Sequence, residues 1–171
     1  MPGFIRAYVR AVDAVNRTLG FAVMYMTLVM MGVLLYGTIV RLIPDVAPPI
    51  WVIEMSQFLM AAYYLLGGGY SMQLDAHVRM DVFYGRWSER SRAFADSITA
   101  FCLVFYLIVM IRGGISSASY ALQYGQKNYS AWAPPMAPIK IIMTVGIVLM
   151  LLQAIAIFFR DLARATKRDI E

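Results

Sequence analysis

Cysteine and histidine are almost missing from this chain of 171 residues, which has one of each, Cys102 and His77. A single cysteine excludes an internal disulfide. It also excludes an iron–sulfur cluster, which needs several thiolates, just as one histidine excludes a buried bis-imidazole haem. A zinc site needs three or four ligands. The only grouping that includes the histidine is Asp75, His77 and Asp81, which sits among arginines in a polar stretch. No serine or cysteine neighbours His77, so a nucleophile–base pair is lacking and an enzyme is not expected. No glycine-rich phosphate loop is present either, because Gly67-Gly68-Gly69 lies inside an apolar run, where small residues let helices approach closely. No cofactor is expected.

Charge is also scarce. Charged residues make up 15% and hydrophobic ones 61%, against about 25% and about 45–50% in soluble domains. Mean hydropathy is +0.65. These values exclude an ordinary water-soluble fold, and the length suits one compact membrane unit over residues 1–171. The net charge of +5 comes from basic residues that flank apolar runs and form no single polar face. Anionic phospholipid headgroups are therefore the expected partner, and nucleic acid is not. Cys102, within an apolar run, reads as a small buried hydrophobe.

Four uncharged runs dominate what remains. They hold 23 residues between Arg17 and Arg41, 20 between Glu54 and Asp75, 15 between Asp96 and Arg112, and 19 between Lys140 and Arg160. An apolar helix needs about 20 residues to cross the hydrocarbon core, fewer when its ends reach into the interface. The expectation is an all-α integral membrane protein with four transmembrane helices and an N-terminal amphipathic surface helix. The surface helix covers about 4–17, with Phe4, Tyr8, Val12 and Val15 on one face and Arg6, Arg10, Asp13 and Arg17 on the other. The spans cover about 18–43, 50–74, 93–112 and 139–159, and a basic tail follows over 160–171. The third span either continues to 124 or bends at Gly113-Gly114. On its surface, Phe94, Ile98, Phe101, Phe105 and Ile108 form one apolar stripe. The first apolar run is longer than a secretory signal core and ends without a small-residue cleavage site, so it reads as a retained span.

Basic residues set the orientation. They precede the first span, follow the last, and fill the middle loop with Arg79, Arg86, Arg90 and Arg92, while Lys127 alone lies within the other two loops. The positive-inside rule then places both termini and the middle loop in the cytoplasm.

Ionisable groups at membrane depth are functional candidates. Glu54 stands out, three residues after the interfacial Trp51. It suits either a contact with lipid or a neighbouring basic group, or proton coupling in a self-sufficient small exporter. The middle loop alternates His77, Arg79 and Asp81 with Val78, Met80 and Val82. In an extended segment this separates polar from apolar side chains, although an ordinary solvated loop accommodates the same pattern. No charge ring or broken helix pair marks a midplane substrate site.

Trp51-x-x-Glu54, the Gly-rich apolar helix and His77-Val78-Arg79-Met80-Asp81-Val82 together resemble the small permease subunit of TRAP transporters (tripartite ATP-independent periplasmic transporters). Trp132, Pro138-Ile139-Lys140 and the basic tail are similar to the same family. The resemblance implies a multi-pass protein of the bacterial inner membrane, within a three-part uptake system. There, a periplasmic substrate-binding protein captures an organic acid anion, and a large permease subunit moves it inward with sodium. The small subunit binds and scaffolds the large one. On this reading Trp51 and Glu54 make contacts on the external side, and His77, Arg79, Asp81 and Arg86 contact partner or lipid on the cytoplasmic side.

Overall fold

A computed structural model describes the backbone of residues 3–74 and 89–165, and the side chains of 4–74 and 98–160. Four helices account for nearly all of it: α1 (Gly3–Leu42), α2 (Val52–Gln73), α3 (Glu89–Gln123) and α4 (Ala137–Ala165). Each uncharged run falls inside one helix, except that Leu74 forms the C-cap of α2. Without water, backbone N–H and C=O groups must be satisfied within the segment, which leaves the helix as the local solution for such runs. Three helices are long and apolar enough to cross a membrane: α1, α3 from Ile98, and α4. The chain is thus an all-helical, multi-pass membrane protein. α2 is not among those three, since Glu54, Ser56, Gln57, Ser71 and Gln73 dilute its apolar character.

Close contacts fix the register. Leu65 lies against Gly146 and Gly68 against Met150, so α2 and α4 run parallel. Gly67 lies against Val23 and Gly37 against Val52, so α1 is antiparallel to α2. α3 is antiparallel to α4, with Gly114 against Thr144. α4 is central and packs against the other three helices, while α3 packs chiefly on α4. The start of α1, the end of α2, the start of α3 and the end of α4 therefore share one end of the bundle. Gly146 shows why small residues matter here. A Cβ at that position would lie 2.7 Å from the Leu65 carbonyl oxygen, so any side chain would push α4 off the α2 backbone.

Two apolar clusters hold the helices together. Val9 and Val12 of α1 meet Ala156 of α4, with Ile5, Tyr8, Leu152 and Phe159 around them. Leu107 of α3 meets Ile147 and Ala154 of α4, with Leu65, Leu103, Val104, Ile111 and Met150 adjoining.

The structure differs from the sequence expectations at several points. The surface helix over 4–17 is not a separate element. α1 is continuous through residue 42, because no breaker interrupts Ala14 to Leu19, and its N-terminal part packs on α4. Phe4 and Val15, assigned to the apolar face, are exposed, whereas Val9 and Asn16 are buried. α3 runs through Gly113-Gly114 without a break, giving about 52 Å of helix at ~1.5 Å per residue. Its stripe of Ile98, Phe101, Phe105 and Ile108 faces outward, and the neighbouring Leu103, Val104, Leu107 and Ile111 meet α4 instead. Lipid is as apolar as a protein core, so hydrophobicity alone does not choose the packed face. For the same reason Cys102 is exposed and not buried.

The turns at the opposite end use strained backbone. Asp45 and Ala133 have φ of 63° and 48°, a region that side chains with a Cβ rarely adopt. The Ala133 N–H donates to Ser130 Oγ at 3.1 Å. The Asn128 N–H donates to the Pro134 carbonyl at 3.0 Å, and the Met136 N–H to that of Gln126 at 2.8 Å. Together they hold a compact α3–α4 connection.

Candidate functional site

Polar side chains inside the bundle collect at its two ends. At the end shared by the start of α1 and the end of α4, Asp13, Asn16, Gln153 and Arg160 form a chain of hydrogen bonds. Asp13 and Asn16 are three residues apart on α1, and Gln153 and Arg160 are seven apart on α4, so each pair shares a helix face. Asn16 Nδ2 donates to Gln153 Oε1 at 2.7 Å, and Gln153 Nε2 donates to Asp13 Oδ1 at 3.0 Å. Arg160 pairs with the other Asp13 oxygen. Asn16 and Gln153 are 1% and 0% exposed, which makes them the largest fully buried side chains among the described residues.

The order of donors is forced. An ionised carboxylate only accepts, so Gln153 must present its amino group to Asp13 and its oxygen to Asn16. Asn16 must then turn its own oxygen toward Gly69 of α2, where no polar partner meets it. The missing side chain of Gly69 leaves the room that Asn16 Oδ1 occupies, so α1, α2 and α4 meet at this point. Tyr8 adds a tie by donating from its hydroxyl to the Leu152 carbonyl at 3.1 Å.

At the other end, Trp51 stacks on Tyr36 with ring centroids 5.9 Å apart and planes at 24°, which locks the α1–α2 turn. Glu54 lies in the first turn of α2, where the free N–H groups of the helix favour a negative charge. It is only 9% exposed, and Oε2 is buried with no hydrogen-bond partner. The parallel register of α2 and α4 sets Glu54 at the end where α4 begins. Lys140 there is drawn into the α3–α4 connection, donating to Gln126 Oε1 at 2.6 Å and to the Ser117 carbonyl at 3.5 Å.

Trp51 and Glu54 are thus brought together at one end. His77, Arg79, Asp81 and Arg86 lie outside the described residues. Among the described residues, no three of histidine, cysteine, aspartate and glutamate converge as metal ligands would. The Asp13–Gln153–Asn16 chain was not singled out from the sequence. Part of its signal was there: Gln153 is an isolated carboxamide in an apolar run, seven residues before Arg160, and Asn16 follows Asp13 by three.

The outer faces of the described helices are mostly apolar, as helices that associate within a membrane require. Residues 30–164 match the family described as "Tripartite ATP-independent periplasmic transporters, DctQ component". The chain belongs to this family. DctQ components are parts of transporters, so the protein is a small TRAP permease component and not an enzyme. Comparison with curated proteins and with solved structures gives no significant match.

Proposed function

We propose that this DctQ component binds a large permease subunit and anchors that subunit's stationary part in the bacterial inner membrane. A periplasmic binding protein delivers an organic acid anion, and the large subunit carries it inward with sodium ions. The family match over most of the chain carries this reading. The scarcity of ionisable groups along the spans supports it, because such helices offer packing surface and few steps for an ion.

The antiparallel order supports four crossings. If α1, α3 and α4 cross, α2 must return the chain between them. Its 22 residues give about 33 Å at ~1.5 Å each, enough for a hydrocarbon core of about 30 Å. The basic residues orient both termini and the middle loop toward the cytoplasm. Trp51 and Glu54 then lie at the periplasmic end as the external contact pair of this reading, with Glu54 Oε2 buried and unpartnered within the chain. On the same reading, His77, Arg79, Asp81 and Arg86 of the basic middle loop would contact anionic headgroups or the large subunit from the cytoplasmic side.

Deleting this chain should abolish uptake while the large subunit is still made, and the purified small subunit should transport nothing in liposomes. Transport by the small subunit alone would remove the proposal. The buried, unpartnered Glu54 oxygen favours one rival, a self-sufficient proton-coupled exporter. That rival requires Glu54→Gln to stop transport with assembly intact, whereas anchoring requires weakened association or little change.

A further inference from the structure

α2 presents one face that suits lipid poorly. Ile53, Gln57, Met60 and Tyr64 recur at helical spacing, and all four are exposed. The other faces of α2 are taken by α1 and α4. Gln57 makes no hydrogen bond among the described residues, and neither does the hydroxyl of Tyr64, whose ring rests edge-on against Tyr63 at 5.2 Å. Tyr64 lies at the middle of the uncharged run between Glu54 and Asp75, far from the interface where tyrosine is ordinarily favoured. An amide and a hydroxyl facing hydrocarbon remain unsatisfied, while helix–helix contacts in membranes use such groups as glue.

The outer faces of α1 and of the middle of α3 differ, and exposed Tyr120 and Gln123 repeat the pairing only at the last turn of α3. The α3 stripe of Ile98, Phe101, Phe105 and Ile108 is exposed and carries no donor or acceptor, which suits acyl chains. Tyr25 on α1 and Tyr106 on α3 are exposed hydroxyls without an accompanying amide on their face. α2 is also the one of the four helices that is not among those long and apolar enough to cross a membrane by composition. A polar outward face on this helix points to protein as its cover.

We infer that the α2 face of Ile53, Gln57, Met60 and Tyr64 receives a transmembrane helix of the large permease subunit, while the α3 face of Phe101 and Phe105 meets lipid. This rests on the proposed function. The partner helix would offer a hydrogen-bonding side chain level with Gln57 or Tyr64 and small residues against Met60.

The test uses the whole complex in its native membrane, with a benzophenone amino acid placed singly at Met60, Tyr64, Phe101 or Phe105. After irradiation, positions 60 and 64 should shift the mobility of the large subunit, identified by mass spectrometry, in several-fold higher yield than 101 and 105. Gln57→Leu combined with Tyr64→Phe should lower co-purification of the large subunit several-fold. Crosslinks from 101 and 105 only would overturn the assignment while leaving the proposed function intact. So would attachment of 60 and 64 solely to lipid or to a second copy of this chain. Failure of any large subunit to co-purify with the unaltered chain would overturn both.

Discussion

At the scale of single residues, the strongest commitment is the buried chain from Arg160 through Asp13 and Gln153 to Asn16. Gln153 is the link whose loss strands the most groups. Gln153→Leu leaves the buried Asn16 Nδ2 without its acceptor, and a buried unsatisfied group costs about 1–3 kcal/mol, while the half-buried Asp13 loses one donor and keeps Arg160. Unfolding in detergent should show a loss of that order. Asn16→Leu made on top of it should cost much less than the same change alone, because partners in one network do not add. Full additivity would mean that the two amides act separately. Sequence reading did not single these residues out, although Asp13 and Gln153 could both be seen. A lone polar residue in an apolar run is visible, but its partner about 140 residues away is chosen by how α1 crosses α4. Glu54 was visible for a different reason: a carboxylate beside a charge-free run is conspicuous without any knowledge of its neighbours.

At the scale of elements, the helices were legible and their faces were not. Helices occur where spans were expected at about 50–74 and 139–159, as α2 and α4, although α2 is not among the helices apolar enough to cross by composition and α4 continues past Arg160 to Ala165. The expected break between a surface helix and the first span does not occur, since alternating charge in residues 4–17 is as compatible with one face packed on α4 as with a membrane surface. The α3 aromatic stripe points away from the bundle for a related reason: its periodicity reports an apolar face, and lipid accepts one as readily as a neighbouring helix does. Glycines discriminate better. Gly146→Ala presses a methyl group against the Leu65 backbone and should cost about 1–3 kcal/mol, as overpacking does. Gly113 has nothing within 4 Å of a Cβ, so Gly113→Ala should be neutral or stabilise by about 0.5–1 kcal/mol through helix propensity. Comparing the two melting temperatures tests the register of α2 against α4. Phe101→Leu and Phe105→Leu, on the outward face of α3, should stay within about 0.5 kcal/mol of the parent.

For the whole molecule, topology is the decisive measurement. With Cys102 replaced by serine, single cysteines at positions 47 and 88 should react with an impermeant thiol reagent from opposite sides, 47 from outside and 88 from the cytoplasm. Labelling of both from one side would mean that α2 does not cross, and the four-span arrangement would fail. The family and its association with a larger permease rest on the extended match. The architecture adds a reason for the small subunit's form: a central α4 surrounded by three helices leaves broad outer faces on α1, α2 and α3. Such a body adds apolar area around a larger transporter without needing an interior site of its own.

The sequence alone determined that this protein lives in a membrane, that it is helical, and that a bis-imidazole haem, an iron–sulfur cluster and an internal disulfide lack the residues they need. Those conclusions depend only on which groups are present and how far apart charges lie. The resemblance to TRAP small subunits was likewise carried by residues close together in the chain. Tertiary structure decided which side of each apolar helix is inside. It joined Asn16 of α1 to Gln153 of α4 and seated Asn16 against Gly69 of α2, and it left Phe101, Cys102 and Tyr64 facing outward. In water the hydrophobic effect would make most of those choices from composition. In a bilayer they fall to backbone approach at glycines and to the pairing of a few polar groups, and both depend on how the helices cross.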